Sequence, residues 1–325
     1  MATAPVKRIT LEELKKRIRK GDLTDRELRG YFEIDEDNTE VFAPAIRLNY
    51  ARVDTGGKEL SPEETAELYQ QAMAKRPPEP KLEGAAAAIK VLAEGDSWFN
   101  LPDLLYPKDA LDILNRTHNV ISVAKWGDTV ENMLAQKQYV QKLKAGTFRH
   151  FLFSGGGNDV LGSIGTYVTT RKPGDTDPAN APGYVKASFA TKVKGIISGY
   201  ETLANDVKKT TGTKTGTKTV LYIHGYANAI PKKNGPYLGR RLEALGFDPA
   251  VVGPLSKAIV ANMVGQFNTA LRNFAASRAG IVYIDMRPKM TASDWHTDEI
   301  HPKATGATKI AGAFAAAINA NALVG

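Results

Sequence analysis

The chain has no cysteine among its 325 residues, so a disulfide framework, a thiolate nucleophile and a cysteine-ligated metal are all excluded. Covalent chemistry is thereby left to hydroxyl groups. No apolar run approaches the ~20 residues that a bilayer span requires. The first twenty residues are charged and lack the apolar centre of a secretory signal. The protein is therefore expected to be cytoplasmic and to carry no membrane span. Histidines number only five, few enough to weigh one by one.

What is present points to a large folded chain. A hydrophobic content of 42% over 325 residues can bury a sizeable core, which excludes disorder of the whole. The net charge of +8 could suit acidic partners, but charged residues make up 24% with both signs interleaved, and no nucleic-acid signature accompanies the surplus. The basic runs Lys15–Lys20 and Lys208–Lys218 read as solvated helix and loop faces. No nucleic-acid partner is expected.

Two regions differ in pattern. Residues 1–84 read as a helix-rich N-terminal extension. Thr10-x-x-Glu13, Thr24-x-x-Glu27 and Ser61-Pro62-Glu63-Glu64 each match the start of a capped helix, and the stretch from Tyr31 to Val53 can supply short extended segments. The prolines of Lys75–Lys81 forbid a continuing helix and mark a stiff linker. From residue 85 to 325 short apolar runs (Ala86–Ala93, Val120–Ala124, Phe151–Phe153, Val220–Ile223 and Ile281–Ile284) alternate with helical stretches at 101–115, 129–144, 185–210, 255–277 and 304–321. Nearly continuous apolar runs are the mark of strands buried on both faces. The alternation predicts an α/β protein, a three-layer α/β/α domain around a doubly wound parallel sheet.

Such sheets bind ligands beyond the carboxyl ends of their strands, and the residues there are chemically distinctive. The first run ends in Gly95-Asp96-Ser97, the second in Trp126-Gly127-Asp128, the third in Ser154-Gly155-Gly156-Gly157-Asn158-Asp159 and the fourth in His224-Gly225-Tyr226. Near the end of the chain stands Asp298-Glu299-Ile300-His301-Pro302. A serine hydroxyl needs a base within hydrogen-bond reach, and the base needs an acceptor that holds its ring. Ser97, His301 and Asp298 can fill those roles as a catalytic triad. The amides of Ser97 and Gly127 and the side-chain amide of Asn158 can supply donors for an oxyanion hole. Asp96 and Asp159 read as braces for their loops.

In order and position, Gly95-Asp96-Ser97, Gly127, Gly156-Gly157-Asn158-Asp159 and Asp298-x-x-His301-Pro302 resemble the four blocks of the SGNH (GDSL-like) hydrolase family, over about residues 86 to 320. The resemblance implies a serine esterase that works through an acyl-enzyme on Ser97. It assigns His301 as base, Asp298 as orienter, and Ser97, Gly127 and Asn158 as the oxyanion hole, with no metal and no organic cofactor. Trp98 stands where that family usually carries leucine, and the first 84 residues have no counterpart in its minimal domain. The Gly-x-Ser-x-Gly elbow of ordinary α/β-hydrolases is absent around Ser97.

Other readings stand beside this one. Asp298 and Pro302 are also ordinary helix-start residues. His296, Asp298 and His301 could be read as a metal cluster, although no further ligand set is spaced to complete it. The glycine-rich loop before Asn158 lacks the lysine of a phosphate-binding loop. His224 can line the cleft or be structural, and His118 and His150 precede strands, away from the expected site. Trp98, Trp126 and Trp295 all lie beside the motifs, where they can be core packing or walls that bind substrate. The stretch 164–182 can overhang the site as a lid or be a plain surface insertion. The expected partner is a small-molecule, carbohydrate or lipid ester, and the extension is a candidate surface for a protein partner. A non-catalytic carbohydrate- or acyl-ligand-binding module using the same cleft is the alternative function.

Overall fold

The computed structural model describes residues 6–40, 43–75, 89–212 and 218–322. The proline-rich linker and the expected strand start at Ala86–Ala88 lie outside the described residues. The chain divides into two compact units, one comprising Met1–Pro80 with Pro102–Lys108, the other Lys81–Leu101 with Asp109–Gly325.

In the first unit, helices Leu11–Lys20, Asp25–Tyr31 and Pro62–Ala74 begin where the capping signals lie. Thr10 Oγ1 accepts from the Glu13 amide, and Thr24/Glu27 and Ser61/Glu64 form reciprocal capping boxes. Each satisfies helix-start N–H groups that would otherwise lack partners. Strands β1 (Ile9–Thr10) and β4 (Val53–Asp54) pair in parallel, while β2 (Phe32–Glu40) and β3 (Ala43–Leu48) form an antiparallel hairpin with Phe32 opposite Leu48. The hairpin is longer than the short extended segments that the sequence suggested. Arg17 reaches from the first helix to Glu27 in the second at 2.6 and 3.1 Å, and that pair holds the Glu27 carboxyl down at about 2. Arg29 donates to the Leu104 carbonyl and Tyr69 to that of Asp103, which is how residues 102–108 come to belong here.

The second unit is built on a parallel sheet of β5 (Lys90–Gly95), β6 (Asn119–Ser122), β7 (His150–Ser154), β8 (Val220–Gly225) and β9 (Ile281–Asp285), in the order β6-β5-β7-β8-β9. Central β7 is buried at every residue, and β5 and β8 at all but their first, whereas edge β9 is mostly half-buried and edge β6 is exposed at both ends and half-buried between. Burial on both faces is why the central strands read as unbroken apolar runs. Helices Val130–Gln136, Gln138–Ala145, Ser188–Thr211 and Gly253–Ala276 form one outer layer, and Ala110–Leu114 packs with Ala304–Ala322 in the other. The fold is therefore a three-layer α/β/α sandwich. Leu255, Ile259, Met263, Phe267, Leu271 and Phe274 recur at helical spacing and are buried, each stabilising the fold by about 1.5–3 kcal/mol relative to exposure.

Two expected helices are shorter or broken. The helix expected over 101–115 is confined to Ala110–Leu114, because Pro102 and Pro107 interrupt it and 102–108 join the first unit. The helix expected over 129–144 is split at Lys137, whose φ of +51° ends one helix and starts the next.

Candidate active site

Strand order reverses at β5, because the chain goes first to β6 on one side and then to β7 on the other. A crevice opens at such a switch point beyond the strand ends. Ser97 lies two residues past the end of β5 and is buried. Its turn is braced by Asp96, whose Oδ1 accepts from the Trp98 amide at 3.1 Å and whose own amide donates to the Ser154 carbonyl at 3.0 Å.

The loop after β6 is fastened to the same place. The Lys125 amide donates to the Gly95 carbonyl at 2.9 Å, and Asn100 Nδ2 donates to the Ala124 carbonyl at 2.7 Å. Gly127 follows with φ +82°, a left-handed turn that glycine takes without steric cost. Asn158, at the start of helix Gly157–Leu161, donates through Nδ2 to the Asp128 carbonyl at 2.8 Å. One Nδ2 hydrogen is used there and the amide has a second to give. Asp159 Oδ2 accepts from the Val130 amide at 3.0 Å. Asp96 and Asp159 thus brace loops, as their positions in the sequence suggested.

From the far end of the chain comes a loop closed by the bridge between Trp295 and Pro302, with the His296 amide donating to the His301 carbonyl at 2.8 Å. His301 Nδ1 lies 2.7 Å from Asp298 Oδ2, and the His301 backbone N–H donates to Asp298 Oδ1 at 3.2 Å. Burial alone would raise the Asp298 carboxyl, but the charge of His301 and hydrogen bonds from His296 and His301 outweigh it and hold the group well below the usual carboxylate range. Trp98 Nε1 donates to the Ile300 carbonyl at 3.2 Å. The residue after Ser97 is therefore bonded to the residue before His301, although 202 positions separate them.

Trp98 and Trp295 are buried with ring centroids 5.9 Å apart, and Trp126 is half-buried. His296 Nδ1 lies 3.4 Å from Asp298 Oδ2, the oxygen that His301 also engages. Among the described residues no His, Asp and Glu side chains converge as a metal site. The stretch 164–182 is held at Arg171, whose amide donates to Leu245 and whose Nε donates to the Gly246 carbonyl at 2.6 Å.

A second polar cluster lies behind the Gly95–Ser97 turn. Ser154 Oγ donates to Asp96 Oδ1 at 2.7 Å, His224 Nε2 lies 2.8 Å from Ser154 Oγ, and Tyr226 OH donates to Asp96 Oδ2. His224 stacks on Trp98 at 5.3 Å. Ser154 and His224 are wholly buried. Since the single Ser154 hydrogen goes to Asp96, His224 carries its proton on Nε2 and donates it to Ser154. Serine, histidine and aspartate are all present, yet the hydroxyl is locked between partners inside the fold. The sequence showed His224 and Tyr226 at a strand end, but not that β7 and β8 would bring them to Ser154.

Burial holds His224 down at about 4, against an ordinary 6.5. As pH falls from about 6.5 to 4, the unfolded chain gains a proton that the folded chain refuses, so His224 contributes a loss of stability across that window. Replacing His224 by glutamine is expected to reduce the loss between pH 7 and 4.5, read as thermal midpoint against pH. An equally steep profile in the variant would contradict this.

The family model described as GDSL-like Lipase/Acylhydrolase matches residues 94–314, more than half of the chain and a span that holds every residue placed above. The chain belongs to this family. GDSL-like lipases and acylhydrolases are hydrolases that act on esters, and that is the activity class of this member. No curated protein sequence matches the chain. Among solved structures, the aryl esterase of M. smegmatis is 13% identical, with 72% of this chain and 99% of that one covered and a TM-score of 0.46. A carbohydrate acetylesterase family member from Sinorhizobium meliloti is 14% identical, with 71% and 98% covered and a TM-score of 0.45. A carbohydrate esterase family 3 protein from Talaromyces cellulolyticus is 13% identical, with 71% and 97% covered and a TM-score of 0.43. The family assignment rests on the match over 94–314 and not on these likenesses. No helix among the described residues is long and apolar enough to cross a membrane.

Proposed function

We propose that this GDSL-like acylhydrolase is a serine esterase whose nucleophile is Ser97. The observation that carries the reading is the joint at the strand ends: Trp98 Nε1 bonded to the Ile300 carbonyl, with Asp298 behind the His301 ring at 2.7 Å. Ser97 Oγ attacks the carbonyl carbon of an ester, and His301 Nε2 takes the hydroxyl proton as the bond forms. Asp298 keeps the other ring nitrogen protonated and offsets the imidazolium charge. The Ser97 and Gly127 amides and the second hydrogen of Asn158 Nδ2 face the developing oxyanion. His301 returns the proton to the leaving alcohol, and the acyl-enzyme is then cleaved by water that His301 deprotonates in turn. No step needs a metal or an organic cofactor.

Trp98, Trp126 and Trp295 are the proposed aromatic wall for the substrate. Residues 1–84 are proposed as a separate extension to a hydrolase domain of residues 85–325. A panel of p-nitrophenyl esters from acetate to palmitate, followed by acetylated sugars, tests the function and reads the acyl preference. Turnover of at least one ester is expected, whereas binding of such ligands without turnover would support a non-catalytic module. Within that panel, Asn158→Ala is expected to lower kcat by about 10² to 10³ while KM changes little, since the donor matters most once the oxyanion forms. A loss confined to KM would remove Asn158 from the oxyanion role.

A further inference from the structure

Glu299 sits inside the Asp298–His301 motif with a chemistry that the esterase mechanism does not use. Its backbone has φ +83°, a region that residues with a side chain rarely occupy. Its carboxylate is fully buried. Four main-chain N–H groups of one loop donate to it: Lys232 at 2.6 Å and Gly239 at 2.9 Å to Oε1, Tyr237 at 3.1 Å and Leu238 at 2.8 Å to Oε2. The loop is shaped around this anion. A Cβ on Gly235 would fall 2.1 Å from Glu299 Cδ, so any side chain there would displace the carboxylate. Two more bonds seal the joint, from the Ile230 amide to the Glu299 carbonyl at 3.3 Å and from Lys232 Nζ to the His296 carbonyl at 2.8 Å.

The loop so held ends against the imidazole. Tyr237, whose amide is one of the four donors, packs its ring edge-on to His301 with centroids 5.4 Å apart and planes at 89°. A strained backbone and a buried anion both cost free energy, and they persist only where the surroundings fix them. Here the surroundings are the N–H cradle, and what it holds in place is the neighbour of the base.

We propose that Glu299 is a positioning residue: its carboxylate docks the loop 232–239 against the Asp298–His301 turn, and through Tyr237 fixes the His301 ring for proton transfer. The inference rests on the reading of His301 as the base. The chain of contacts runs from carboxylate to loop amides, from loop to Tyr237 and from Tyr237 to imidazole. Asp298 holds one edge of the ring and Tyr237 limits its tilt. Misplacement of a reacting group by about 1 Å can cost on the order of 10²-fold in rate.

The test compares wild type, Glu299→Gly and Glu299→Gln by p-nitrophenyl acetate kinetics and by the low-field proton NMR resonance of the His301 Nδ1–H. Glycine relieves the positive φ while removing the carboxylate, so it separates backbone strain from anchoring. Glutamine keeps the volume, but only one of its two terminal atoms can accept. With Glu299→Gly, kcat is expected to fall about 30- to 100-fold with KM within about threefold, and the resonance to broaden. With Glu299→Gln, a kcat loss of about tenfold is expected. Wild-type kcat and an unchanged resonance in Glu299→Gly, even with a lowered Tm, would reduce Glu299 to a structural latch and overturn the proposal. Should Glu299→Gly fail to fold, Glu299→Gln decides by the same two readouts. Ser97→Ala serves as control: if it retains activity the esterase reading fails, while the resonance still reports whether Glu299 holds the ring.

Discussion

Ser97→Ala is expected to lower kcat for p-nitrophenyl acetate by about 10⁵- to 10⁶-fold, with circular dichroism and thermal midpoint preserved. In the proposed mechanism the hydroxyl forms the covalent intermediate, and oxyanion donors alone would leave only a small residual rate. The structure also supplies the comparison that makes this result specific. Ser154 belongs to a Ser-His-Asp set as well, with Oγ 2.7 Å from Asp96 and 2.8 Å from His224. That hydroxyl is wholly buried and its hydrogen is committed to a carboxylate. Removing it strips one donor from buried Asp96, which costs about 1–3 kcal/mol of stability. The two serine variants should therefore separate, Ser97→Ala losing chemistry without stability and Ser154→Ala losing stability while turnover remains measurable. Steady-state kinetics and thermal melts on both variants check this, and the reverse pattern would assign the nucleophile to Ser154.

Asp298→Asn is expected to cost about 10⁴-fold in kcat, although the replacement keeps the shape of the side chain. Asp298 accepts two hydrogens from one residue, His301 Nδ1–H at Oδ2 and the His301 backbone N–H at Oδ1. An asparagine has one accepting and one donating end. If its oxygen faces Nδ1, its NH₂ confronts the backbone N–H. If it turns over, the NH₂ faces the ring and forces the proton onto Nε2, where a base must have a free lone pair. Either orientation loses a buried hydrogen bond, and the second also takes away the lone pair that the proposed base requires. Kinetics across a series of pH values check the prediction, and a loss below about tenfold would argue that Asp298 only caps the turn.

Much of this arrangement was legible in the sequence because its signals are local. Strands buried on both faces show as short apolar runs, and Gly95-Asp96-Ser97, Gly127 and Asn158 stood out as candidates because they follow such runs within a few residues. The capping residues of the first unit were readable for the same reason, since Thr10, Thr24 and Ser61 act within three residues of themselves. What was not legible depends on partners distant in sequence. Residues 102–108 leave the second unit because Tyr69 and Arg29 take up their carbonyls, and nothing within the segment beyond its two prolines hints at that. Glu299 draws its donors from 60 to 67 positions away. They are main-chain N–H groups, which every residue but proline possesses and which therefore leave no mark in residue type. The Asp96–Ser154–His224–Tyr226 cluster required the register of β7 against β8 before it could be seen.

Ser97 as the point of covalent attachment is tested most directly by mass spectrometry of peptides after reaction of the folded protein with a fluorophosphonate. One phosphonyl adduct is expected, on the peptide that carries Ser97, and it should vanish in Ser97→Ala and in His301→Ala. An adduct on Ser154, or none on a protein that still hydrolyses esters, would contradict the account.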